Sequence, residues 1–120
     1  MVELLADLPS TLVGFRASGE VTAEDYKNIV FPAVDAVAES TGKINFLLLL
    51  DTDIQNYTAG AGLNDILVGF KHFNKWHKIA IVSDQEGLNK LTNGISGFIP
   101  GEARGFSKSQ LEEAKNWLLS

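Results

Sequence analysis

The chain has no cysteine among its 120 residues. This absence excludes disulfide bonds, thiolate catalysis and cysteine-ligated zinc or iron–sulfur sites. Basic residues are also few, since ten lysines and arginines stand against fifteen aspartates and glutamates, for a net charge of -5. A surface for duplex nucleic acid needs clustered lysine and arginine to neutralise phosphates. The composition therefore argues against a nucleic-acid partner and leaves only local basic patches open.

Long apolar runs are also missing. The longest, 44–50, is interrupted by Asn45 and falls far short of the roughly 20 residues that span a bilayer. The first residues carry Glu3 and Asp7 where a secretory signal carries positive charge, so we expect a cytoplasmic protein. The three prolines are scattered and 45% of the residues are hydrophobic. We therefore expect a single domain over 1–120 that buries a core without disulfides or metal.

Apolar periodicity and turn residues divide the chain into strands that alternate with helices. The predicted strands are 2–5, 12–18, 44–50, 78–82 and 103–106, and the predicted helices are 23–41, 63–74, 86–97 and a last helix that begins with a capping box of Ser107 and Gln110. This order predicts a layered α/β domain with a mixed, largely parallel sheet of about five strands backed by about four helices. The first two strands add an antiparallel pair.

The first predicted helix has clear signals at both ends. Thr22 is a good N-cap with Asp25 three residues later, and Gly42 supplies the C-terminal stop. Pro32 lies inside the helix, where it removes a backbone donor and clashes with a preceding carbonyl. We therefore expect a kink over 28–31.

The segment 51–63, between the central strand and the next helix, is the first candidate site. Ligands of open α/β sheets lie beyond the carboxyl ends of strands, and a helix N-terminus offers N–H groups to an anion. Thr58, Gly60 and Gly62 form a candidate phosphoacceptor or anion site, although Asp65 stands where a dinucleotide fingerprint needs glycine and no P-loop lysine follows. Alternatively, the threonine only caps and orders the turn.

Metal binding and catalysis have weaker candidates. Asp51 and Asp53 are a candidate metal pair, but carboxylates at a strand end also bond to loop N–H groups. His72 and His77 are five residues apart across a predicted helix end, a poor spacing for one metal, and no nucleophile stands near them. We expect neither a metal nor a cofactor.

A basic and aromatic cluster covers 71–78. It contains both histidines and a candidate membrane or partner patch made of Lys71, Lys75, Trp76 and Lys78. Cations beside an aromatic ring suit an anionic head group or an acidic partner. The alternative is structural, because cations stabilise a helix C-terminal turn and a tryptophan tethers the exit to the core.

The second and third predicted helices and their flanks carry a surplus of apolar side chains. Most belong in a core, but two layers of helix on one sheet need only one apolar face each, so the others suit an apolar groove or a movable lid. The candidate groove residues are Tyr57, Phe70, Phe73, Leu88, Ile95, Phe98 and Ile99.

Several short stretches, in order, resemble the SpoIIAA-like proteins, which have a STAS-type fold. The stretches are 19–26 at the first helix entry, 31–33 inside it, 42–44 before the central strand, 78–84, and the closing 100–106 and 113–117. Each is weak alone, but together they span nearly the whole chain.

The resemblance implies a small non-enzymatic domain that is often dimeric. STAS domains in anti-sigma antagonists carry a phosphorylatable serine, in a motif close to Asp-x-Ser, where the helix after the central strand begins. Here Asp51 is followed by threonine and Asp53, that serine is lacking, and Thr58 is the nearest stand-in. The family is also similar in fold to CRAL-TRIO lipid carriers, which implies an apolar pocket beneath movable helices.

Three functions follow as hypotheses. The first is a non-enzymatic STAS-like regulatory or protein-interaction module, with a protein partner and a homodimer as candidate assemblies. The second is a carrier or sensor of a small apolar or amphiphilic ligand that associates peripherally with membranes. The third is an enzyme that uses Asp51 or His72, which no set of nucleophile, base and metal in the sequence supports.

Overall fold

A five-stranded sheet lies at the centre of the fold. The computed structural model describes residues 2–6, 8–19, 22–51, 75–85, 88–97 and 101–120. The strands are β1 (Val2–Leu4), β2 (Leu12–Ser18), β3 (Ile44–Asp51), β4 (Trp76–Val82) and β5 (Glu102–Phe106). They lie side by side in chain order. β1 is antiparallel to β2, and every later pair is parallel, which confirms the predicted mixed, largely parallel sheet.

Helices follow β2, β4 and β5. The first, α1 (23–41), joins an α-helical turn Ala23–Asp25, a π-helical turn Tyr26–Val30 and an α-helix Phe31–Thr41; α2 is Leu88–Ser96; a 3-10 turn Lys108–Gln110 leads into α3 (Leu111–Leu119). The predicted helix at 63–74 lies outside the described residues. The predicted count of about four helices is therefore not supported. No helix in the described part of the chain combines the length and the apolar character needed to cross a membrane.

Both ends of α1 are capped as predicted. The Thr22 N–H donates to the Asp25 carboxylate at 3.1 Å, and the Asp25 N–H donates to the Thr22 hydroxyl at 3.2 Å. At the other end Gly42 has a φ of 79°, a left-handed conformation that glycine adopts without strain. Its N–H donates to the Ala38 carbonyl at 3.0 Å.

Pro32 changes the helical register instead of ending the helix. The Phe31 N–H donates to the Tyr26 carbonyl, five residues back, as in a π-helix. Proline has no N–H for the carbonyl four residues back and would clash with it, so one wide turn before Pro32 relieves both problems. The irregularity predicted over 28–31 is a π-helical turn over Tyr26–Val30.

Two apolar layers cover the two faces of the sheet. One contains Phe15, Phe46 and Leu48 with side chains of α1 and α2, and the other contains Leu12, Leu47 and Ala80 with side chains of α3. Alternate residues of β3 point into opposite layers, and most of them are buried. The predicted central strand, covered on both faces, is confirmed.

Candidate functional site at the carboxyl edge of the sheet

The carboxyl ends of the four parallel strands, β2 to β5, lie at one edge of the sheet. In open α/β sheets this is the edge where ligands and partners bind. Asp51 is the last residue of β3. Since the register pairs Ser18 with Asp51 and Arg16 with Leu49, strand alternation places the Arg16 and Asp51 side chains on the same face, the face that α3 covers.

An ionic cluster of Arg16, Asp51 and Lys108 lies at this edge. Asp51 Oδ2 accepts from Arg16 Nε and Asp51 Oδ1 accepts from Lys108 Nζ, both at 2.5 Å. The three residues come from β2, β3 and the turn before α3. The Arg16 and Lys108 side chains are 49% and 44% exposed, whereas the Asp51 side chain is only 21% exposed. The cluster therefore presents its cations to solvent and holds its anion beneath them.

The two cations determine the chemistry of Asp51. Hydrogen bonds from Lys108 and then Arg16 hold the pKa of the Asp51 carboxyl below its ordinary value, and burial opposes them only in part. The carboxylate stays ionised and each of its oxygens already has a partner, so it is poorly placed to transfer a proton or to bind a metal. The cluster itself holds two cations and one anion, and two exposed carboxylates border it: Glu3 opposite Arg16 in the strand pair and Asp84 at the backbone of Lys108.

The turn that carries Lys108 is fixed against the end of β4. The Lys108 N–H donates to Asp84 Oδ1 at 2.8 Å, and the Ser83 N–H donates to the Phe106 carbonyl at 2.9 Å. The predicted capping box of Ser107 and the residue three positions later is formed. These bonds fix the backbone of Lys108, so its position relative to β3 is set by the sheet.

The described residues contain no group of three histidine, aspartate or glutamate side chains placed to hold a metal ion. Of the candidate metal pair Asp51 and Asp53, Asp53 lies outside the described part of the chain. The candidate phosphoacceptor or anion site, Thr58 with Gly60 and Gly62, also lies outside it.

The structure describes two residues of the candidate apolar groove, Leu88 and Ile95. Ile95 is buried in the core between α2 and the sheet. Leu88 packs over β5, where a Cβ on Gly105 would lie 3.0 Å from Leu88 Cγ. Both side chains are used in packing. The other groove residues lie outside the described part: Tyr57, Phe70, Phe73, Phe98 and Ile99.

The predicted surface patch over 71–78 is wrong at Trp76 and Lys78. Trp76 is 5% exposed and packs edge-on against Phe46, with ring centroids 5.8 Å apart. β4 begins at Trp76, two residues earlier than predicted, and the extra residue at the register shift between β3 and β4 places the indole in the same core layer as Ile79 and Ile81. Of the other patch residues, Lys75 is exposed and Lys71 lies outside the described part.

Lys78 contacts the C-terminal end of α3 and does not form part of a surface patch. Its Nζ donates to the carbonyls of Trp117 and Ser120 at 3.0 Å each, and lies 5.2 Å from the centre of the Trp117 ring. A cation is favourable at the C-terminal end of a helix and over an indole face. Lys78 is close to Lys75 in the sequence, but the sheet places its side chain on the face that α3 covers.

His77 is held by a structural contact. Its Nδ1 lies 2.8 Å from Asn45 Oδ1, where a register shift between β3 and β4 leaves an extra residue on β4. Burial lowers the pKa of His77, and the charges of Lys43 and Lys78 act in the same direction. Glu102 opposes them. An imidazole bound to a buried amide is typical of a packing role.

Sequence reasoning missed Arg16 and Lys108 as members of the site. Arg16 lies within the predicted strand 12–18, and Lys108 follows a predicted cap. A signal was available for Arg16, because a parallel pairing of 12–18 with 44–50 places it on the same face as Asp51. Lys108 carries no comparable local signal, since 57 residues separate it from Asp51.

The fold and the charged carboxyl edge define a small layered α/β domain with one antiparallel edge strand. The model of the SpoIIAA-like family matches residues 12–119. The chain belongs to the SpoIIAA-like family, which confirms the resemblance; a similarity to CRAL-TRIO proteins is not shown. Neither the curated proteins nor the solved structures contain a significant match. Family membership suggests a regulatory or interaction module.

Proposed function

We propose that the protein is a non-enzymatic regulatory domain that binds a protein partner at the carboxyl edge of its sheet. The observation that carries the proposal is the ionic cluster, in which three separate elements bring Arg16, Asp51 and Lys108 into contact. Exposed ion pairs contribute little to stability, so the fold alone gives weak reason for the arrangement. Half-exposed cations held at fixed positions beside exposed carboxylates suit recognition of a partner surface with complementary charges.

The contacts of two titratable side chains, Asp51 and His77, also favour a binding role. Within the described residues, the Asp51 carboxylate is paired with two cations, and the His77 imidazole is bound to the Asn45 side-chain amide. Neither is a general base paired with a nucleophile. Among the described residues of the carboxyl edge, the ionic cluster offers charge and hydrogen bonding to a surface.

The carrier function has less support. It needs a cavity built from the second and third predicted helices, and both described members of that set, Leu88 and Ile95, are used in packing. Its membrane contact needs an exposed Trp76, which is buried.

The homodimer and the cytoplasmic location stay predictions.

A double substitution that removes both cations of the ionic cluster tests the proposal. Tagged wild-type protein and the Arg16→Gln/Lys108→Gln variant are expressed in the source organism, and the proteins that co-purify are quantified by mass spectrometry. We expect one or more partners to co-purify with the wild type and to fall at least about tenfold with the variant, because two desolvated charge contacts are lost.

The matched control is Lys27→Gln/Lys43→Gln, which removes the same charge from two exposed positions elsewhere. It should retain the partners at wild-type levels. Equal recovery by the two double variants, or no specific partner with the wild type, would contradict the proposal.

A further inference from the structure

The strand β5 forms the outer edge of the sheet on the side opposite β1. Its backbone direction follows from one bond to β4: the Ser83 N–H donates to the Phe106 carbonyl at 2.9 Å, so the backbone groups of Phe106 point inward. Because this direction alternates along a strand, the N–H and C=O groups of Ala103 and Gly105 point away from β4. In the sheet of the described residues β5 has a neighbour on one side only, and outward groups of this kind pair with an added strand.

The α3 face of β5 carries two opposite charges, Glu102 and Arg104. Phe106 belongs to the apolar layer that α3 covers, so strand alternation places Glu102 and Arg104 on the same face. Both side chains are exposed. Within the described part of the chain, neither of them forms an ion pair. Two opposite charges therefore stand along an outer strand without a charged partner in their own sheet.

Arg104 is positioned by aromatic rings. Its Cζ lies 5.6 Å from the centre of the Trp117 ring and 5.8 Å from the centre of the Phe106 ring. A cation over an aromatic face is attracted by the ring but gives up none of its N–H donors. The guanidinium is therefore held in place and still has donors for a carboxylate.

The basic side chains beside Glu102 have other partners. Lys78 is its register partner on β4, but Lys78 Nζ donates to the carbonyls at the end of α3. His77 also lies near Glu102, and its Nδ1 is bound to the Asn45 side chain. Glu102 therefore keeps its carboxylate oxygens for a cation from outside the sheet.

The order of charges on β5 is complementary to itself when two copies run antiparallel. A two-fold axis beside Ala103 places this residue opposite the same residue of the other copy, and their outward N–H and C=O groups form two hydrogen bonds. In that register Glu102 of each copy lies opposite Arg104 of the other. These are non-hydrogen-bonded positions, where cross-strand side chains are closest.

Other symmetric pairings match the charges less well. An axis beside Arg104 places two guanidinium groups opposite each other, and an axis beside Gly105 places Arg104 opposite Phe106. β1, the other outer strand, has Glu3 at its centre, so an axis there places two carboxylates opposite each other. Like charges directly opposite are destabilising. The charge pattern therefore selects β5 and one register.

We propose that β5 pairs antiparallel with β5 of a second copy of this chain, and that two ion pairs between Glu102 and Arg104 fix the register. The two sheets then form one continuous sheet. This interface uses the outer edge of β5, whereas the ionic cluster joins β2 and β3 to the turn before α3. The inference therefore goes beyond the proposed function and does not depend on it.

Sedimentation velocity of the purified full chain over a range of concentrations tests the proposal. We expect the wild type to sediment with twice the mass of the chain. Arg104→Glu and Glu102→Arg each place like charges opposite each other, so each should raise the dissociation constant of the dimer at least about tenfold. Glu112→Arg, a matched control at a side chain 82% exposed on α3, should leave it unchanged.

Mixing the two variants separates charge pairing from general damage to β5. Each variant repels itself, but a one-to-one mixture of Arg104→Glu and Glu102→Arg has opposite charges at both pairs of the interface. We therefore expect a mixed dimer, identified by native mass spectrometry. The double variant Glu102→Arg/Arg104→Glu restores both pairs in reversed order and should dimerise within about threefold of the wild type.

Several results would overturn the proposal. These are a wild type that stays monomeric at its highest soluble concentration, a dimer that neither single variant weakens, or a mixture of the two variants that stays monomeric. A dimer that is lost in Arg16→Gln/Lys108→Gln and kept in Arg104→Glu would place the contact at the ionic cluster instead. Capture of a different protein by a monomeric wild type, lost in Arg104→Glu, would assign the edge to another partner.

Discussion

Leu48→Asp is expected to lower the free energy of unfolding by about 4 kcal/mol or more. Leu48 lies in the central strand, is 3% exposed and belongs to the core layer that α1 and α2 cover. The substitution removes a buried leucine and places a carboxylate in a layer of apolar side chains. Domains of this kind have about 5–15 kcal/mol in total, so a large share of the stability should be lost.

Urea unfolding followed by circular dichroism measures this effect. The matched control is Leu4→Asp, which makes the same change at an exposed position on β1 and should cost less than about 1 kcal/mol. A loss below about 1 kcal/mol for Leu48→Asp would contradict the assignment of β3 as a strand covered on both faces.

Gly101→Ala is expected to lower the free energy of unfolding by about 2–3 kcal/mol. A Cβ at this position would lie 2.7 Å from the His77 carbonyl oxygen and 2.8 Å from the Trp76 carbonyl oxygen. Both atoms are backbone atoms of β4, so the clash is relieved only by moving β5 or the start of β4. Glycine is needed here because the backbone at Gly101 lies very close to the backbone of β4.

Gly105→Ala is the control for that change. Its Cβ would meet mainly the Leu88 side chain, at 3.0 Å, and a side chain can move at lower cost than a strand. We expect a loss of less than about 1 kcal/mol, measured by the same urea titration. If the two alanine variants were equally stable, the close contact between Gly101 and β4 would be wrong.

Local signals in the sequence were enough to predict the mixed, largely parallel sheet and the ends of α1. Thr22 and Gly42 mark the ends of α1 through hydrogen bonds to residues three or four positions away, so their effect is readable without tertiary structure. The apolar run at 44–50 predicts a buried strand for the same reason. The start of β4 was misplaced because a register shift opposite Ile44 and Asn45 is a property of the pair of strands.

The candidate site was less predictable because its residues are distant in the sequence. Asp51 was recognised as a strand-end carboxylate, but its partners come from β2 and from the turn before α3. Predicting that cluster needs the strand order, the register and the position of the last helix together. Trp76 shows a different error: its basic neighbours in the sequence favour a surface patch, but its side chain lies in the core.

The central claim is that a protein partner contacts the carboxyl edge beside the ionic cluster. Photo-crosslinking in living cells of the source organism tests it most directly, with a photoreactive amino acid at Ser109, an exposed position next to Lys108, and at Asp35, an exposed position on α1. We predict a discrete crosslinked product from Ser109, containing a second protein, and none from Asp35. Crosslinks from both positions alike, or from Asp35 alone, would contradict the account.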